Sequence, residues 1–471
     1  MSAQSQVKEN MSSSSPQKKD GSPAKKRPRT LDDAPDESHA TKGAAQLAKE
    51  KRDAEYKNWV VAAPQLYDVC MQKHLRWPSL TVEWLPGFTD SGREGWNRHS
   101  LLLGTHTAEG EDNSLLVIAV DLPDVETEID TRAGEFGKDT SAIALTLPHP
   151  GGEVNRAQYC PQQPSLVATR PASKVAYVFD IAKAAEEGPS STPWLTLRGH
   201  GDEGFGCAWS PHTNGQLTTC ANDGTICGWD VATATGGGVT PTYFASRGES
   251  AVADVQYAPR DPWTLCAAGD DKALVFWDLR TQGDKCASVR EGAHAGDINA
   301  LAFPSFSSED NGAHAFRLLS ASADHTVKLW DMRRMAEPIH TFQCQDDVVQ
   351  VSWCPHDDDV FVTCGQDRGP KFWDVSKIGA AVEPDSDDDE PAPSELVFAH
   401  GGHKAPVSDF SLSPNESWLT ASVSEDNVLQ VSWVSEAIFG DYDDERSGTG
   451  WQAGGDAAAA PAPLPAPPAA P

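Results

Sequence analysis

The stretch "GCAWSPHTNGQLTTCANDGTICGWD" (residues 206–230) decides the fold of this chain. It contains an apolar segment that ends at a proline, a second segment of small residues, a turn that carries Asp223, and a third segment that ends in Trp229-Asp230. Short apolar segments bounded by Pro, Asn, Asp and Gly are typical of β-strands joined by tight turns. The stretch therefore predicts three consecutive strands of one small sheet.

The same pattern recurs along the chain. Trp-Asp ends close the stretches 254–278, 300–331 and 350–374, a Phe-Asp end closes 156–180, and 409–433 has a related pattern. The Trp-Asp and Phe-Asp ends recur about every 43 to 53 residues. This is the period of β-propeller blades with longer loops, and repeats of this kind are WD repeats.

A seventh set of strands is predicted for residues 78–121, which contain "PSLTVEWLP", "HSLLLGTH" and "SLLVIAVDLP". Seven blades close a ring and leave only short, protected sheet edges. The sequence therefore predicts an all-β fold, a seven-bladed WD-repeat β-propeller with an N-terminal α-helix and disordered tails. We expect an N-terminal strand to pair into the last blade and so to join the two ends of the ring.

Polar side chains recur at fixed places within the repeats. A histidine precedes some repeats, as at His200, His294 and His403. Such a histidine can hydrogen-bond a strand Ser or Thr and a turn Asp, which hold the Trp of the repeat. The residues at these places are Thr219, Asp223 and Trp229 in one repeat and Ser320, Asp324 and Trp330 in another. Because a catalytic nucleophile must be exposed beside its base, we predict that these groups are structural and that the protein is not an enzyme.

Two repeats depart from the pattern. Glu249 stands where the repeat at 254–278 is expected to have its histidine. In the last repeat Trp433 follows Asp426 by seven residues, against six in the other repeats. Because a shift of one residue moves a strand side chain to the opposite face of the sheet, we expect a β-bulge or a changed outer strand there.

Composition and charge limit the classes of function. The 471 residues carry a formal net charge of -31, which argues against general nucleic-acid affinity and favours a basic partner. No apolar run is long enough to span a bilayer and the N-terminus has no apolar signal core, so an intracellular protein is expected. The 10 cysteines lack zinc-like spacing, so no metal site and no cofactor are predicted. Six of them lie in strand-like segments and are expected to be buried, reduced thiols: Cys207, Cys220, Cys227, Cys266, Cys354 and Cys364.

Outside the repeats the chain divides into tails and a helix. In "EYKNWVV", the residues Tyr56, Trp59 and Val60 have the i, i+3, i+4 spacing of one helical face, and Pro64 disfavours helix at Ala63. The terminal segments have the polar or low-complexity composition of disordered chains. The predicted division is a disordered tail with a basic run at 1–45, an N-terminal helix of the histone-binding region at 46–72, the propeller at 73–440 with an acidic loop at 383–395, and a disordered tail, acidic and then Ala/Pro-rich, at 441–471.

The first tail contains the one strongly basic run of the chain, "KKDGSPAKKRPR" (18–29). A short basic run in an accessible tail is typical of a nuclear import signal, although a solvated charged tail has the same composition. The residues that carry the import prediction are Lys25, Lys26, Arg27 and Arg29. The predicted location is the nucleus.

Several stretches resemble one family more closely than the repeat pattern requires. They are "EYKNWVVAAPQLYDVCM", "LRWPSLTVEWLP", "LLLGTHT", "GGEVNRAQYCPQ" and "HGGHKAPVSDFSLSPNESWLTASVSEDN". Over about residues 50–440 the chain resembles the histone-binding WD-repeat proteins of the retinoblastoma-binding, MSI-like family, which includes the small subunit of chromatin assembly factor. The resemblance implies a non-catalytic histone H3–H4 chaperone and adaptor. It also implies partners in chromatin assembly, acetyltransferase, deacetylase, Polycomb-type or remodelling complexes, and no direct nucleic-acid or membrane partner.

The resemblance implies a groove for the first helix of histone H4, between the N-terminal helix and the acidic loop. A histone helix is amphipathic, so its apolar side can lie in a hydrophobic groove while carboxylates pair with its arginines. An acidic run that is merely solvated has the same composition. The residues assigned to this groove are Trp59, Leu66, Tyr67, Met71, Asp385, Asp387, Asp388, Asp389, Glu390, Ile438 and Phe439.

The resemblance also implies a site for basic peptides, including the N-terminal tail of histone H3, on the propeller face where the first strands begin. A ring of carboxylates in one concave mouth focuses negative potential on a Lys/Arg-rich peptide. Taken singly, each acid is equally compatible with capping a loop. The residues assigned to this site are His99, Glu153, Asn155, Arg156, Glu203, Phe205, Asp297, Asn299, Asp347, Glu425 and Asn427.

The sequence departs from the family pattern at three places. Ala253 and Arg76 each replace a usual Glu, and Gln65 replaces a Phe. The first two changes weaken the attraction of the mouth for positive charge, and the third removes an apolar contact from the helix groove. A lost contact of this kind costs about 1 to 3 kcal/mol when it is central and much less at a rim.

Two alternative functions stay open on the sequence. "WDLR" (277–280) and "WDMR" (330–333) match the short WDxR pattern with which substrate receptors of cullin-type ubiquitin ligases dock their adaptor, through Arg280 and Arg333. The other alternative is a ribosome-assembly WD protein of the glutamate-rich group. Against it, the acidic block lies late in the chain while the N-terminal tail is basic.

Overall fold

A computed structural model describes residues 37–108, 110–124, 137–188, 192–281, 286–304, 314–380, 392–435 and 438, with the side chains of the first helix described from Lys49 onward. Within these ranges the chain begins with helix α1 (Glu37–Leu66) and strand β1 (Tyr67–His74). The predicted tails at 1–36 and 441–471 lie outside them, and so does the basic run. No helix in the described part of the chain is long and apolar enough to cross a membrane.

Helix α1 differs from the predicted helix at both ends. It begins at Glu37, inside the segment expected to be a tail, and the predicted helical residues 67–72 belong to β1. Pro64 lies inside the last turn of α1, where its missing N–H removes a single hydrogen bond without ending the helix. The chain becomes a strand after Leu66 because it meets the open edge of the last blade, so tertiary pairing decides the boundary.

Seven sheets follow around the ring and form its blades. Blade 1 contains β2 (Val82–Trp84), β3 (Thr89–Asp90), β4 (Trp96–Gly104), β5 (Asn113–Pro123) and β6 (Ser141–His149). Blade 2 contains β7 (Val154–Cys160), β8 (Gln163–Pro171), β9 (Val175–Asp180), helix α2 (Ile181–Glu187) and β10 (Leu195–Arg198). Blade 3 contains β11 (Cys207–Trp209), β12 (Gln216–Cys220) and β13 (Thr225–Asp230), and the chain continues with β14 (Gly237–Val239) and β15 (Tyr243–Ser246).

The second half of the ring repeats this plan. Blade 4 contains β16 (Val252–Tyr257), β17 (Thr264–Gly269), β18 (Leu274–Asp278) and β19 (Ser288–Arg290). Blade 5 contains β20 (Ile298–Ala302), a 3-10 turn (His314–Phe316), β21 (Arg317–Ser322), β22 (Thr326–Asp331) and β23 (His340–Gln343). Blade 6 contains β24 (Val348–Trp353), β25 (Val360–Gly365), β26 (Lys371–Asp374), a 3-10 turn (Val375–Lys377) and β27 (Leu396–Ala399). Blade 7 contains β28 (Val407–Leu412), β29 (Leu419–Ser424) and β30 (Val428–Val434).

Strand β1 completes blade 7 from the other end of the chain. It pairs antiparallel with β30, from Tyr67 opposite Val434 to His74 opposite Val428. The prediction that an N-terminal strand joins the last blade is confirmed, and so is the seven-bladed propeller with an N-terminal helix. Two strands lie beyond the predicted sets: β6 supplies the outer edge of blade 1, and β14 pairs parallel with β10 and so extends blade 2.

The predicted polar groups are locked inside the blades. In blade 3, Trp229 Nε1 donates to Thr219 Oγ1 at 2.8 Å, and His200 Nε2 lies 2.7 Å from the same oxygen. In blade 5, Ser320 Oγ lies 2.8 Å from Trp330 Nε1 and 2.7 Å from His294 Nε2. All of these side chains are buried, which confirms that they hold strands together and are not exposed to a substrate.

The last blade resolves the shift at Trp433. His403 Nε2 lies 2.7 Å from Ser422 Oγ, and the residue ten positions later, the place of the Trp in other blades, is Ser432. Trp433 instead packs, half-buried, against the cluster shared by blades 7 and 1. The pairing of β29 with β30 is continuous, and the register shift lies between β30 and β1, beside Tyr67 and Val69. The expected bulge therefore lies in the outer strand.

Blade 4 lacks the polar lock altogether. Ala267 stands ten residues before Trp277, where blades 3 and 5 have Thr219 and Ser320. Trp277 Nε1 is buried without a hydrogen-bond partner, and Glu249 stands at the place of the histidine. A buried donor without a partner carries a desolvation cost, so this blade has an identifiable weak point.

We expect Ala267→Ser to stabilise the protein. The new hydroxyl would stand at the place of Ser320 in blade 5 and accept from Trp277 Nε1, which is worth about 0.5–1.5 kcal/mol in the free energy of unfolding. Urea denaturation of the full chain measures the change. The matched variant is Ser320→Ala, which removes the partner of Trp330 and should cost about 1–3 kcal/mol. A destabilising Ala267→Ser beside the expected loss in Ser320→Ala would contradict this account of blade 4.

The cysteines belong to the same apolar interior. All ten are free, and each of the six predicted to be buried is buried, among them Cys220 and Cys266. Burial raises the pKa of the Cys207 thiol to about 12, so this group stays protonated at neutral pH. Among the described residues no group of three or more His, Cys, Asp or Glu side chains is arranged to hold a metal ion.

Candidate functional site

Helix α1 lies over the seam between blades 6 and 7. The buried side chain of Ala63 joins the apolar cluster of those two blades, which includes Phe372 of blade 6 and Val407 of blade 7. Trp59 and Leu66 pack, half-buried, against the same cluster. Burial of these three helical residues fixes which side of α1 faces the propeller.

The outer side of α1 exposes apolar surface. Val61 is 80% exposed and Val60 is 48% exposed, although both are large aliphatic side chains. Ile438 packs near the end of the helix, on the cluster that also holds Leu66. Two exposed valines beside half-buried aliphatic groups form a surface that can accept the apolar side of a partner helix. We call Val60, Val61, Leu66 and Ile438 the helix surface.

The structure divides the residues assigned to the histone-helix groove. Trp59, Leu66 and Ile438 lie at or beside the helix surface. Tyr67 and Met71 are each 1% exposed, because they lie in β1 with their side chains in the core, so they support the surface from beneath and do not line it. The acidic loop and Phe439 lie outside the described residues: Asp385, Asp387, Asp388, Asp389 and Glu390. The same holds for the import run Lys25, Lys26, Arg27 and Arg29.

A second concavity, of about 80 Å³, opens at the axis of the ring on the face where the inner strands begin. We call it the mouth. Six of the residues assigned to the peptide site line it: Glu153, Asn155, Arg156, Phe205, Asn299 and Glu425. Ala253, the departure from the family pattern, lines it too.

The other assigned residues lie at or away from its edge. Glu203, Asp297 and Asp347 are half-buried in the turns before inner strands, each two residues from a residue that lines the mouth. Asn427 lies in the hairpin turn after β29, where its backbone oxygen accepts from the N–H of Leu75.

The assignment of His99 to the mouth is corrected by the structure. Its side chain is 1% exposed within β4 and packs against Trp84, with ring centroids 6.0 Å apart. Burial lowers the pKa of His99 to about 4, so it is a neutral core residue. Its neighbours along the chain suggested the mouth, but its position in the strand points the ring into the sheet.

The mouth presents unused hydrogen-bond acceptors. Asn155 Nδ2 donates to the Gly204 carbonyl at 3.3 Å, and Asn299 Nδ2 donates to the Val348 carbonyl at 2.7 Å. The amide oxygens of both residues are buried without a partner. Oxygen atoms held in this way suit a ligand rich in N–H donors, such as the ammonium and guanidinium groups of Lys and Arg.

Charge at the mouth is predominantly negative. Burial raises the pKa of the Glu425 carboxyl, and His106 Nε2 lies 3.3 Å from Glu153. Below them Arg156 Nη1 lies 3.5 Å from Asp409 Oδ1. Burial also raises the pKa of Asp254, which lines the mouth from blade 4. One arginine among several carboxylates leaves an excess of negative charge for a cationic side chain.

Sequence reasoning missed the two buried acids of this group. Asp254 Oδ2 accepts from the Leu301 N–H at 2.9 Å, and Asp409 Oδ2 accepts from the Val82 N–H at 3.0 Å. Each carboxylate therefore joins its own inner strand to that of the next blade. The signal was present in "ADVQY" and "SDF", where an acid interrupts an apolar inner strand.

The two arginines of the WDxR pattern are paired within their own motifs. Arg280 donates to both carboxylate oxygens of Asp278, with its Nη2 at 2.7 Å, and Arg333 does the same to Asp331 at 2.6 Å. Both side chains are exposed. The pairing is a local one within a turn and adds no support for ligase-adaptor docking.

Comparison with known families agrees with this geometry. A family model that describes the histone-binding protein RBBP4 and its counterpart in the CAF1 complex matches residues 54–124, which run from the middle of α1 through β1 to the end of β5. The model "WD domain, G-beta repeat" matches residues 191–230, 285–331, 336–374 and 394–431. Each of these four matches begins near the outer strand of one blade and ends in the third strand of the next. The chain therefore belongs to the RBBP4 and MSI-like family of histone-binding WD-repeat proteins.

Proposed function

We propose that the protein is a non-catalytic histone H3–H4 chaperone and adaptor that works in the nucleus. It would serve within chromatin assembly, acetyltransferase, deacetylase, Polycomb-type or remodelling complexes, without a direct nucleic-acid or membrane partner. The observation that carries the proposal is the helix surface, whose Val61 is 80% exposed in a chain of net charge -31. An apolar strip on a strongly acidic protein suits a cationic amphipathic helix.

The first helix of histone H4 is the proposed ligand of the helix surface. Its apolar side would cover Val60 and Val61, and its arginines would pair with carboxylates of the acidic loop at 383–395. The position of that loop beside α1 is part of the proposal. Support comes from its composition and from Leu396, which begins β27 directly after it, in the blade against which α1 packs.

The N-terminal tail of histone H3 is the proposed ligand of the mouth. The unpartnered oxygens of Asn155 and Asn299 would accept from its Lys or Arg side chains, and Glu153 and Glu425 would supply opposite charge. The two proposed sites lie on different surfaces of the propeller, the side and the axis. One copy could therefore hold both histones without a contact being shared.

We expect Val61→Asp to weaken binding of purified H3–H4 by roughly tenfold or more, because it places a charge in a desolvated apolar contact. Fluorescence titration with labelled H3–H4 at several salt concentrations measures this. Val289→Asp is the matched control, since it puts the same carboxylate on a partly exposed valine of β19 in blade 4. Equal affinities of the two variants would rule out the helix surface as the histone site.

A further inference from the structure

A chain of hydrogen bonds ties α1 to blade 7. Trp59 Nε1 donates to Tyr67 Oη at 3.2 Å, and Tyr67 Oη lies 2.7 Å from His400 Nδ1. His400 Nε2 lies 2.5 Å from Gln430 Oε1, and Gln430 Nε2 donates to the Gly402 carbonyl. The chain begins on the helix and ends in the turn before β28. Neither proposed histone contact uses its buried members.

The direction of every bond in this chain is determined from its far end. A backbone carbonyl only accepts, so the amide nitrogen of Gln430 must face Gly402 and its oxygen must face His400. That oxygen needs a donor, which places the proton of His400 on Nε2. The Nδ1 of the neutral ring then accepts from the hydroxyl of Tyr67. Burial lowers the pKa of His400 to about 3, in agreement with a neutral ring.

The other polar contacts of α1 are weaker ties. Arg368 pairs with Glu55 at 3.2 Å, and Lys404 Nζ lies 4.0 Å from the ring centroid of Tyr56. Both are exposed or partly exposed charged contacts, which water and salt screen. The contact at Trp59 is closer: its indole lies where a Cβ on Gly401 would come within 3.0 Å, so the glycine leaves room for the ring.

We propose that Tyr67 and His400 are positioning residues that hold α1 at the orientation in which the helix surface can receive a partner helix. The inference rests on the proposed function for its purpose, but the geometry it concerns belongs to the free protein. Tyr67 is central because its hydroxyl both accepts from the helix and donates to the propeller. Its ring already lies in the core of blade 7, so removal of the hydroxyl leaves the packing in place.

Tyr67→Phe in the full chain tests the proposal, with Tyr56→Phe as the matched control on the same helix. Hydrogen exchange is measured at the amides of residues 50–66, together with the affinities for an H4 first-helix peptide and an H3-tail peptide. We expect protection in α1 to fall about tenfold and H4-peptide affinity about three- to tenfold in Tyr67→Phe, with little change in H3-tail affinity. Tyr56→Phe should change none of these.

A second pair of variants separates positioning from general destabilisation. His400→Leu should reproduce the loss of protection, and His400→Asn should restore much of it because an amide oxygen can replace Nδ1 as acceptor. Unchanged exchange of α1 in Tyr67→Phe overturns the proposal, and so does an equal loss of protection throughout the propeller. If the parent chain binds no H4 peptide, the proposed function fails while the exchange result still decides the positioning role.

Discussion

Removal of residues 1–75 is expected to abolish cooperative folding, whereas removal of residues 1–66 is expected to leave the propeller folded. The difference between the two truncations is β1, whose residues pair with β30 from Tyr67 to His74. Tyr67, Cys70 and Met71 are buried in the clusters that blade 7 shares with blades 6 and 1. At about 1.5–3 kcal/mol for each large buried side chain, β1 supplies on the order of 5 kcal/mol. That is comparable to the whole stability of a typical domain.

Thermal unfolding followed by circular dichroism distinguishes the two chains. The chain that begins at Tyr67 should keep a single sharp transition, lowered by a few degrees because Trp59 and Ala63 no longer cover their cluster. The chain that begins at Arg76 should show no sharp transition. Similar melting curves would mean that the ring closes without β1. A deletion designed to test α1 must therefore end at Leu66, since a deletion of 46–72 also removes most of β1.

The combined substitution Glu153→Lys and Glu425→Lys is expected to weaken binding of an H3-tail peptide by about 100-fold or more, because like charges facing across a binding site cost several kcal/mol. Both carboxylates line the mouth beside the free oxygens of Asn155 and Asn299. The measurement is isothermal titration calorimetry with an unmodified tail peptide. Binding of the H4 helix peptide should change little, because the helix surface lies on the side of the ring.

The control for net charge is Glu94→Lys with Glu337→Lys, two exposed glutamates that do not line the mouth. It should weaken binding by no more than about threefold, as long-range charge is screened by salt. Acidification supplies an independent check. Burial raises the pKa of Glu425, so this group takes up a proton as the pH falls towards its raised pKa, while Lys and Arg stay charged. The affinity should therefore fall with pH, and an affinity that rises would contradict the assignment.

The sequence predicted the blades well because their signal is repeated and local. Trp229 with Thr219 and Trp330 with Ser320 lie ten residues apart within one hairpin, so spacing along the chain determines their contact. The end of α1 could not be predicted in this way. Apolar residues such as Tyr67 and Met71 suit a buried helix or a buried strand equally, and the choice depends on a partner strand at the far end of the chain.

The mouth shows the same limit. Glu153, Asn155 and Glu425 were found because family resemblance marked their positions. Asp254 and Asp409 were not, because each acts by accepting from the inner strand of another blade. His99 was misplaced because residues adjacent in sequence alternate between the faces of a strand. Contacts between blades depend on how the ring closes, and local pattern carries no information about that.

The pairing of β1 with β30 has a consequence for biosynthesis. The first strand to leave the ribosome waits for the last, while blades 1 to 6 can form in order during translation. Its unpaired edge is a hazard for misassembly throughout that interval, which makes the nascent chain a natural client of molecular chaperones. Helix α1 packs on residues of blade 7 that are translated last. The protein therefore becomes competent for its partner helix only once the polypeptide has been released.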